Sequence, residues 1–178
     1  MSRVSDEAAP TDPADPADRE DLVDRIQSEW AHAYPQFDVR PVGLLGRIQR
    51  IAAITSGRLD RNLQRHGVSR SEFDVLGALA RAPEPLRASE VVSTTMLSGA
   101  SVTKLSEALV RRGLVRRGKS PRDGRVVLLE LTDAGRTVVD EELPGRLADD
   151  EAALAGLTAE ERTQLAALLR KITRSLGD

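Results

Sequence analysis

Apolar residues recur along this chain at helical spacings, and one short stretch breaks the rhythm. Leu22, Ile26 and Trp30 stand four apart, one face of a short helix. Beyond a connector bracketed by Pro35 and Pro41, Leu45, Ile48, Ala52, Thr55, Leu59 and Leu63 make a longer stripe over residues 42–66, with Arg47, Arg50, Arg58, Arg61 and Arg65 as polar-face candidates. Ser69-Arg70-Ser71-Glu72 is a capping box, so a further helix starts there and ends before Pro83. A short helix is expected near 89–94 and a turn at 96–99. Val102, Leu105 and Leu109 then predict a helix over 98–112, with Gly113 at the C′ position where helices stop. Leu114-Val115 and residues 126–131 are β-favouring runs, and 119–124 between them holds the Pro, Asp and Gly that turns need. Leu86 is expected to pair briefly with this hairpin. Thr132 is a candidate N-cap for a helix carrying Val138, Val139 and Leu143, which Pro144 is expected to kink or break. A second capping box, Thr158 to Glu161, opens a last helix with Leu165, Leu168, Leu169, Ile172 and Leu176 on one face.

Helix, turn, second helix and hairpin appear in the winged helix-turn-helix order, and charge indicates what such a module touches. Residues 98–125 hold eight basic residues (Lys104, Arg111, Arg112, Arg116, Arg117, Lys119, Arg122, Arg125) against Glu107 and Asp123, a net +6 inside a chain of net −2. That is the electrostatic footprint of a phosphate-contacting surface, which the overall balance hides. At the start of the second helix Ser98, Gly99, Ser101, Thr103 and Lys104 can meet phosphates beside free backbone amides or donate to base edges, and Ser98 also reads as a plain N-cap. Arg116, Arg117, Lys119, Arg122 and Arg125 belong to the hairpin. Asp123 and Arg125 are two apart, so on a regular strand they share a face and the carboxylate could orient the guanidinium. With no aromatic side chain in this segment, double-stranded DNA is the expected partner rather than single strands or RNA.

The run Asp123-Gly124-Arg125-Val126-Val127-Leu128-Leu129-Glu130-Leu131-Thr132-Asp133-Ala134-Gly135 follows a D-x-R-x-x-x-L-x-L-T-x-x-G pattern and resembles the MarR-type winged helix-turn-helix regulators. The resemblance extends over about 42–176. It implies that Arg125 meets the minor groove or its phosphates, and that N- and C-terminal helices join a homodimer. Gly124 departs from the pattern, since a second Arg is frequent there; Arg122 could compensate. The extra first helix with Trp30, and the stretch 66–74 ending in Phe73-Asp74, are similar to the subgroup that includes urate-responsive and trans-aconitate-responsive regulators. There a Trp and an Asp help to form the ligand pocket, which by motif implies Trp30 and Asp74; from the residues alone Trp30 reads equally as an interface anchor and Asp74 as part of a structural ion pair. Arg58 and His66 are added as cation candidates from this sequence alone, for a small anionic effector.

Composition narrows the field. The 178 residues allow one compact domain and a tail. Zero Cys and two His leave no thiolate chemistry and no usual transition-metal site, and no Ser-His-Asp arrangement, acidic dyad or Gly-rich phosphate loop suggests an enzyme or a cofactor. Without a ~20-residue apolar run or a secretory pattern, the chain is expected to be cytoplasmic. The expected architecture is mainly α with a small β-hairpin wing. It has a disordered acidic tail (1–20), N-terminal helices for dimerisation and a ligand (21–66), a winged helix-turn-helix DNA-binding domain (67–131) and C-terminal dimerisation helices (132–178). The expected function is a ligand-responsive repressor that binds a pseudo-palindromic duplex. The alternatives are an architectural or non-specific DNA binder and a winged-helix protein interaction module, which would need a neutral or apolar recognition surface.

Overall fold

The computed structural model describes residues 20–121 and 123–177. The tail expected over 1–20 therefore lies, apart from Glu20, outside the described residues, as does Arg122. The elements in chain order are α1 (Leu22–Ala33), α2 (Arg40–Leu63) with a 3-10 turn (Gln64–His66), α3 (Arg70–Arg81), α4 (Ala88–Ser93), α5 (Gly99–Arg111), β1 (Val115–Lys119), β2 (Val127–Leu131), α6 (Asp133–Ala153) and α7 (Ala159–Ser175). They fall into two compact units, one ending at Ala53 and the other beginning at Ile54, a boundary inside α2.

In the first unit Asp21 caps α1, accepting from the amides of Val23 and Asp24, while Asp24 accepts from the Asp21 amide. Arg47 on α2 reaches both carboxylates, Asp21 at 3.0 Å and Asp24 at 2.6 Å. Hydrogen bonding to that guanidinium holds the Asp24 carboxyl below its ordinary value. The rings of Trp30, Tyr34 and Phe37 follow one another at centroid distances of 5.3 and 6.3 Å, and all three are exposed.

The second unit has its core where α3 packs on α5 and α6. Phe73, Val75, Leu76 and Leu79 line α3; they meet Leu63, Val91, Val102, Leu109, Val115, Leu129 and Val138, all buried. The capping box that starts α3 forms as its sequence predicts, with Ser69 and Glu72 satisfying each other's amides. Helix α5 stops at Gly113, whose φ of +72° is a left-handed conformation that favours glycine. The chain then pairs as an antiparallel hairpin in the register Val115↔Leu131 to Lys119↔Val127, and Leu86 adds a bridge to Leu129. Strand β1 thus runs further toward the tip than the two apolar residues that suggest it.

One junction fixes the hairpin to the helices. The Thr132 amide donates to the Leu114 carbonyl, its hydroxyl donates to the Gly113 carbonyl at 2.6 Å, and the same oxygen accepts from the Gly135 amide to cap α6. Gly135 is the residue that lets this happen, because a Cβ there would stand 2.0 Å from the Leu114 carbonyl oxygen. The T-x-x-G signature is therefore a cap plus a close approach. Of the kink or break expected at Pro144, the break does not occur: α6 runs through it. The proline sacrifices the bond to the Asp140 carbonyl, but both residues are exposed, so water can satisfy that oxygen.

Arg162 closes the turn between α6 and α7, donating to the carbonyls of Leu154 and Leu157 and pairing with Glu151. Along α7 the stripe Leu165, Leu168, Leu169, Ile172 and Leu176 is exposed in the single chain. Gly135→Ala should destabilise the fold by about 1–3 kcal/mol, because the obstruction is backbone and cannot swing away. Urea unfolding of the two proteins checks this, and equal midpoints would refute the close-approach role.

Candidate nucleic-acid interface

The N-terminus of α5 is preorganised by its own side chains. Ser98 Oγ accepts from the Ser101 amide at 3.2 Å and lies 2.9 Å from Ser101 Oγ, and Thr103 Oγ1 donates to the Gly99 carbonyl. Ser98 is thus an N-cap. Gly99 and Lys104 are exposed on the same first turns of α5. The turn's small side chains leave the helix terminus open, an arrangement that accepts an anion.

Of the eight basic residues counted in the sequence, the seven that are described divide into two sets. Arg116 pairs with Glu130 directly across the hairpin at 2.8 Å, and that guanidinium holds the Glu130 carboxyl below its ordinary value. Arg117, on the other face of β1, points to Glu107 of α5 at 3.6 Å, and Arg112 pairs with Glu72 at 3.3 Å. Lys104, Arg111, Lys119 and Arg125 are exposed and make no ion pair among the described residues. These four project from α5 and the hairpin with no carboxylate partner among the described residues.

Asp123 acts on Arg125 differently from the strand geometry expected. Its carboxylate accepts from the Arg125 backbone amide at 3.0 Å, and its carbonyl accepts from the Val126 amide at 2.9 Å. Residues 123–126 form a turn and β2 begins only at Val127, so the two side chains do not share a strand face. The Asp shapes the tip through the backbone, in the manner of an Asx turn, and not through the guanidinium.

A cavity of about 390 Å³ opens between α2, α3, α6 and the turn before α5. Arg58 and Asp74, both singled out in the sequence, lie on its wall together with Arg70, Asn62, Arg146 and Asp149, while Met96 and Leu97 supply apolar surface. Arg58 and Arg70 make no ion pair among the described residues, whereas Asn62 donates to Asp149 at 3.4 Å. Asp74 is half-buried, and burial pushes its carboxyl above the ordinary aspartate value of 3.8 while Arg146, Arg70 and Arg81 pull the other way. His66 does not line the cavity: its imidazole sits 2.9 Å from Glu142. Trp30 belongs to the first unit.

Glu142 was not legible as a site residue, although the signal existed. It completes the helical stripe Gly135, Val138, Val139, Glu142, so a charge occupies an apolar position, and it is 2% exposed. Arg70 and Arg146 carried no comparable signal, because nothing local distinguishes them from other surface arginines. Among the described residues no three metal-ligating side chains converge, and no helix is long and apolar enough to cross a membrane.

Known proteins align with this arrangement. The MarR family profile matches residues 66–126. The HTH-type transcriptional regulator PecS of Dickeya dadantii (strain 3937) is 28% identical over 156 residues, covering 86% of this chain and 94% of that protein. The uncharacterized HTH-type transcriptional regulator YkoM of Bacillus subtilis (strain 168) is 34% identical over 112 residues, 62% of this chain and 71% of that protein. Among solved structures, Sco3205, a MarR family transcriptional regulator from Streptomyces coelicolor in complex with DNA, superposes with a TM-score of 0.68 at 27% identity, over 76% of this chain and 86% of that one.

Because Asp74 has a folded-state pKa above its unfolded one, its contribution to stability is greatest below the unfolded value and is lost as pH rises through the folded value. Asp74→Asn, which cannot ionise, should therefore gain stability relative to the parent as pH is raised from about 3 to about 7. Thermal melts at several pH values test this; a difference that is flat or of opposite sign would mean that the arginines, not burial, dominate.

Proposed function

Because the chain belongs to the MarR family of winged-helix transcriptional regulators, we propose that it represses transcription by binding a pseudo-palindromic operator as a homodimer and releases it when a small anionic ligand binds. The observation that carries the reading is the set of uncommitted cations Lys104, Arg111, Lys119 and Arg125 on α5 and the hairpin. A helix presented to the major groove by its N-terminus, with Ser98, Gly99, Ser101 and Thr103 near phosphates and Lys104 near base edges, gives register and some readout. Arg125 at the tip enters or borders the minor groove, where a narrow groove concentrates negative potential. Arg116 and Arg117 have intramolecular carboxylates to compete with, so their phosphate contacts contribute less. Arg122 joins the tip cations on the sequence resemblance alone. No catalytic role is proposed.

The exposed stripe of α7 supports the dimer, since an apolar face of that length is ordinarily covered in a soluble protein. For the ligand, Arg58 and Arg70 offer cations beside apolar Met96 and Leu97, and Asp74 accepts a hydrogen bond or, when protonated, donates one. The resemblance to urate-responsive and trans-aconitate-responsive regulators supports an acid of that kind, and it also marks Trp30 for separate test by Trp30→Ala.

Binding to a duplex selected from a random library should weaken steeply with salt, each neutralised phosphate adding about −0.9 to the log–log slope. Arg125→Ala should cost more than about 1 kcal/mol of affinity without loss of fold, and urate or trans-aconitate at millimolar concentration should release the duplex from the parent protein. Flat salt dependence would remove the DNA reading, and indifference to both acids would remove that ligand class. Replacing Leu168 and Leu169 together by Asp should convert the dimer to monomer by putting charge on the apolar stripe. Sedimentation reads the outcome, and an unchanged dimer would place the interface elsewhere.

A further inference from the structure

The end of α2 carries a connected set of polar contacts that neither the ligand cavity nor the DNA-facing surface uses. Glu142 of α6 is 2% exposed, and one of its oxygens meets Arg65 Nε at 2.5 Å and His66 Nε2 at 2.9 Å. Arg65 Nε also lies 3.2 Å from His66 Nε2, but one ring nitrogen cannot donate to the carboxylate and accept from Arg65 together. The shorter distances assign both as donors to Glu142. The His66 main-chain carbonyl, in turn, accepts from Arg112 Nη2 at 3.1 Å, and the other nitrogen of that guanidinium pairs with Glu72 of α3. Arg112 is the C-cap residue of α5. A short route of hydrogen bonds therefore runs from a buried carboxylate in α6, through one histidine, to the end of the recognition helix.

We propose that His66 is a positioning residue for DNA recognition, its imidazole holding buried Glu142 and its carbonyl holding Arg112, so that the α2–α6 pair dictates where α5 lies. This rests on the DNA-binding reading above and adds how ligand occupancy reaches DNA. Residues of both helices line the cavity: Asn62 bonds Asp149 there, and in the 3-10 turn that follows α2, Arg65 and His66 bond Glu142, seven residues before Asp149 on α6. Asn62 with Asp149 and His66 with Glu142 are two side-chain ties from the end of α2 and its 3-10 turn to α6, so a ligand that strains the first loads the second. Arg112 is thereby a clamp on α5 and not a phosphate contact, although the sequence counts it among the basic residues of the DNA-binding segment.

The test uses the full-length dimer with Glu142→Gln, Arg112→Ala and their double variant, each with its affinity for the library-selected duplex measured across a salt series. Each single variant should lose about fivefold or more in affinity, the double variant should lose no more than the worse single, and the salt slope should stay at the parent value. Amides of the last two turns of α5 should exchange hydrogen about tenfold faster in each variant, with or without DNA. His66→Gln, whose side-chain amide can still donate to Glu142, should stay near the parent while His66→Ala follows the others; this pair replaces Glu142→Gln in the cycle if that variant does not fold. Additive losses, or a slope lowered by about 0.9 for each Arg112 removed, would overturn the proposal by making Arg112 a phosphate contact. Unchanged exchange in α5 would overturn it as well. Parent protein that binds no duplex would instead defeat the DNA reading, and the exchange experiment would still decide the route.

Discussion

The close approach of Gly135 to the Leu114 carbonyl is the constraint on which the geometry of the hairpin and its flanking helices depends. At that point the recognition helix has just ended, the first strand begins, and α6 starts from the second strand. Thr132 serves all three: its amide fastens the strands, its hydroxyl reaches back to Gly113, and the same oxygen opens α6. Two positions one side chain apart in function thus set the angle between hairpin and helix. Three satisfied polar groups in so small a volume leave little freedom, since abandoning any one exposes an orphan donor or acceptor. The wing is short and solvent-exposed, yet its base is held as firmly as a core element.

That firm base makes the distribution of charge along the hairpin meaningful. Alternation along β1 sends Arg116 to one face and Arg117 to the other, and each finds a carboxylate, Glu130 across the strand and Glu107 on α5. Exposed pairs of this kind contribute little to stability. Their effect is on partition: they remove two arginines from the surface that phosphate would see, and leave Lys119 and Arg125 near the tip and Lys104 and Arg111 on the helix. A sum of formal charges over residues 98–125 cannot make that distinction, because it depends on which side chains face one another across strands.

Elements carried by local signals were legible in the sequence. The capping boxes at Ser69 and Thr158, the stop at Gly113 and the hairpin turn all act within a few residues, and each forms where its pattern stands. What failed to show was decided at long range or by solvent. Pro144 reads as a kink or a break, yet the helix runs on, because an exposed carbonyl makes the lost bond cheap. Asp123 and Arg125 read as strand neighbours, yet the turn extends one residue past them. Of the cation and acid candidates, Arg58 and Asp74 converge on one cavity, while His66 is drawn to Glu142, a residue 76 positions later whose burial no local pattern states outright.

Glu142 also bears on how a ligand could act at a distance. A carboxylate in an apolar stripe is not an efficient stabiliser, since a well-packed apolar residue of similar size often does as well, whereas removing its partners leaves an uncompensated buried charge worth about 3–5 kcal/mol. Separating Arg65 and His66 from this carboxylate is therefore costly unless water reaches it. Two discrete arrangements separated by a few kcal/mol are what a ligand needs in order to switch a protein, because it can shift an equilibrium only by its differential affinity for the two states. Moving such a pair from 1:99 to 99:1 takes about 5.5 kcal/mol, the same order as the cost of stranding this carboxylate. Glu142 thus places a charge where packing alone would favour leucine, and that charge is what ties α6 to Arg65 and His66.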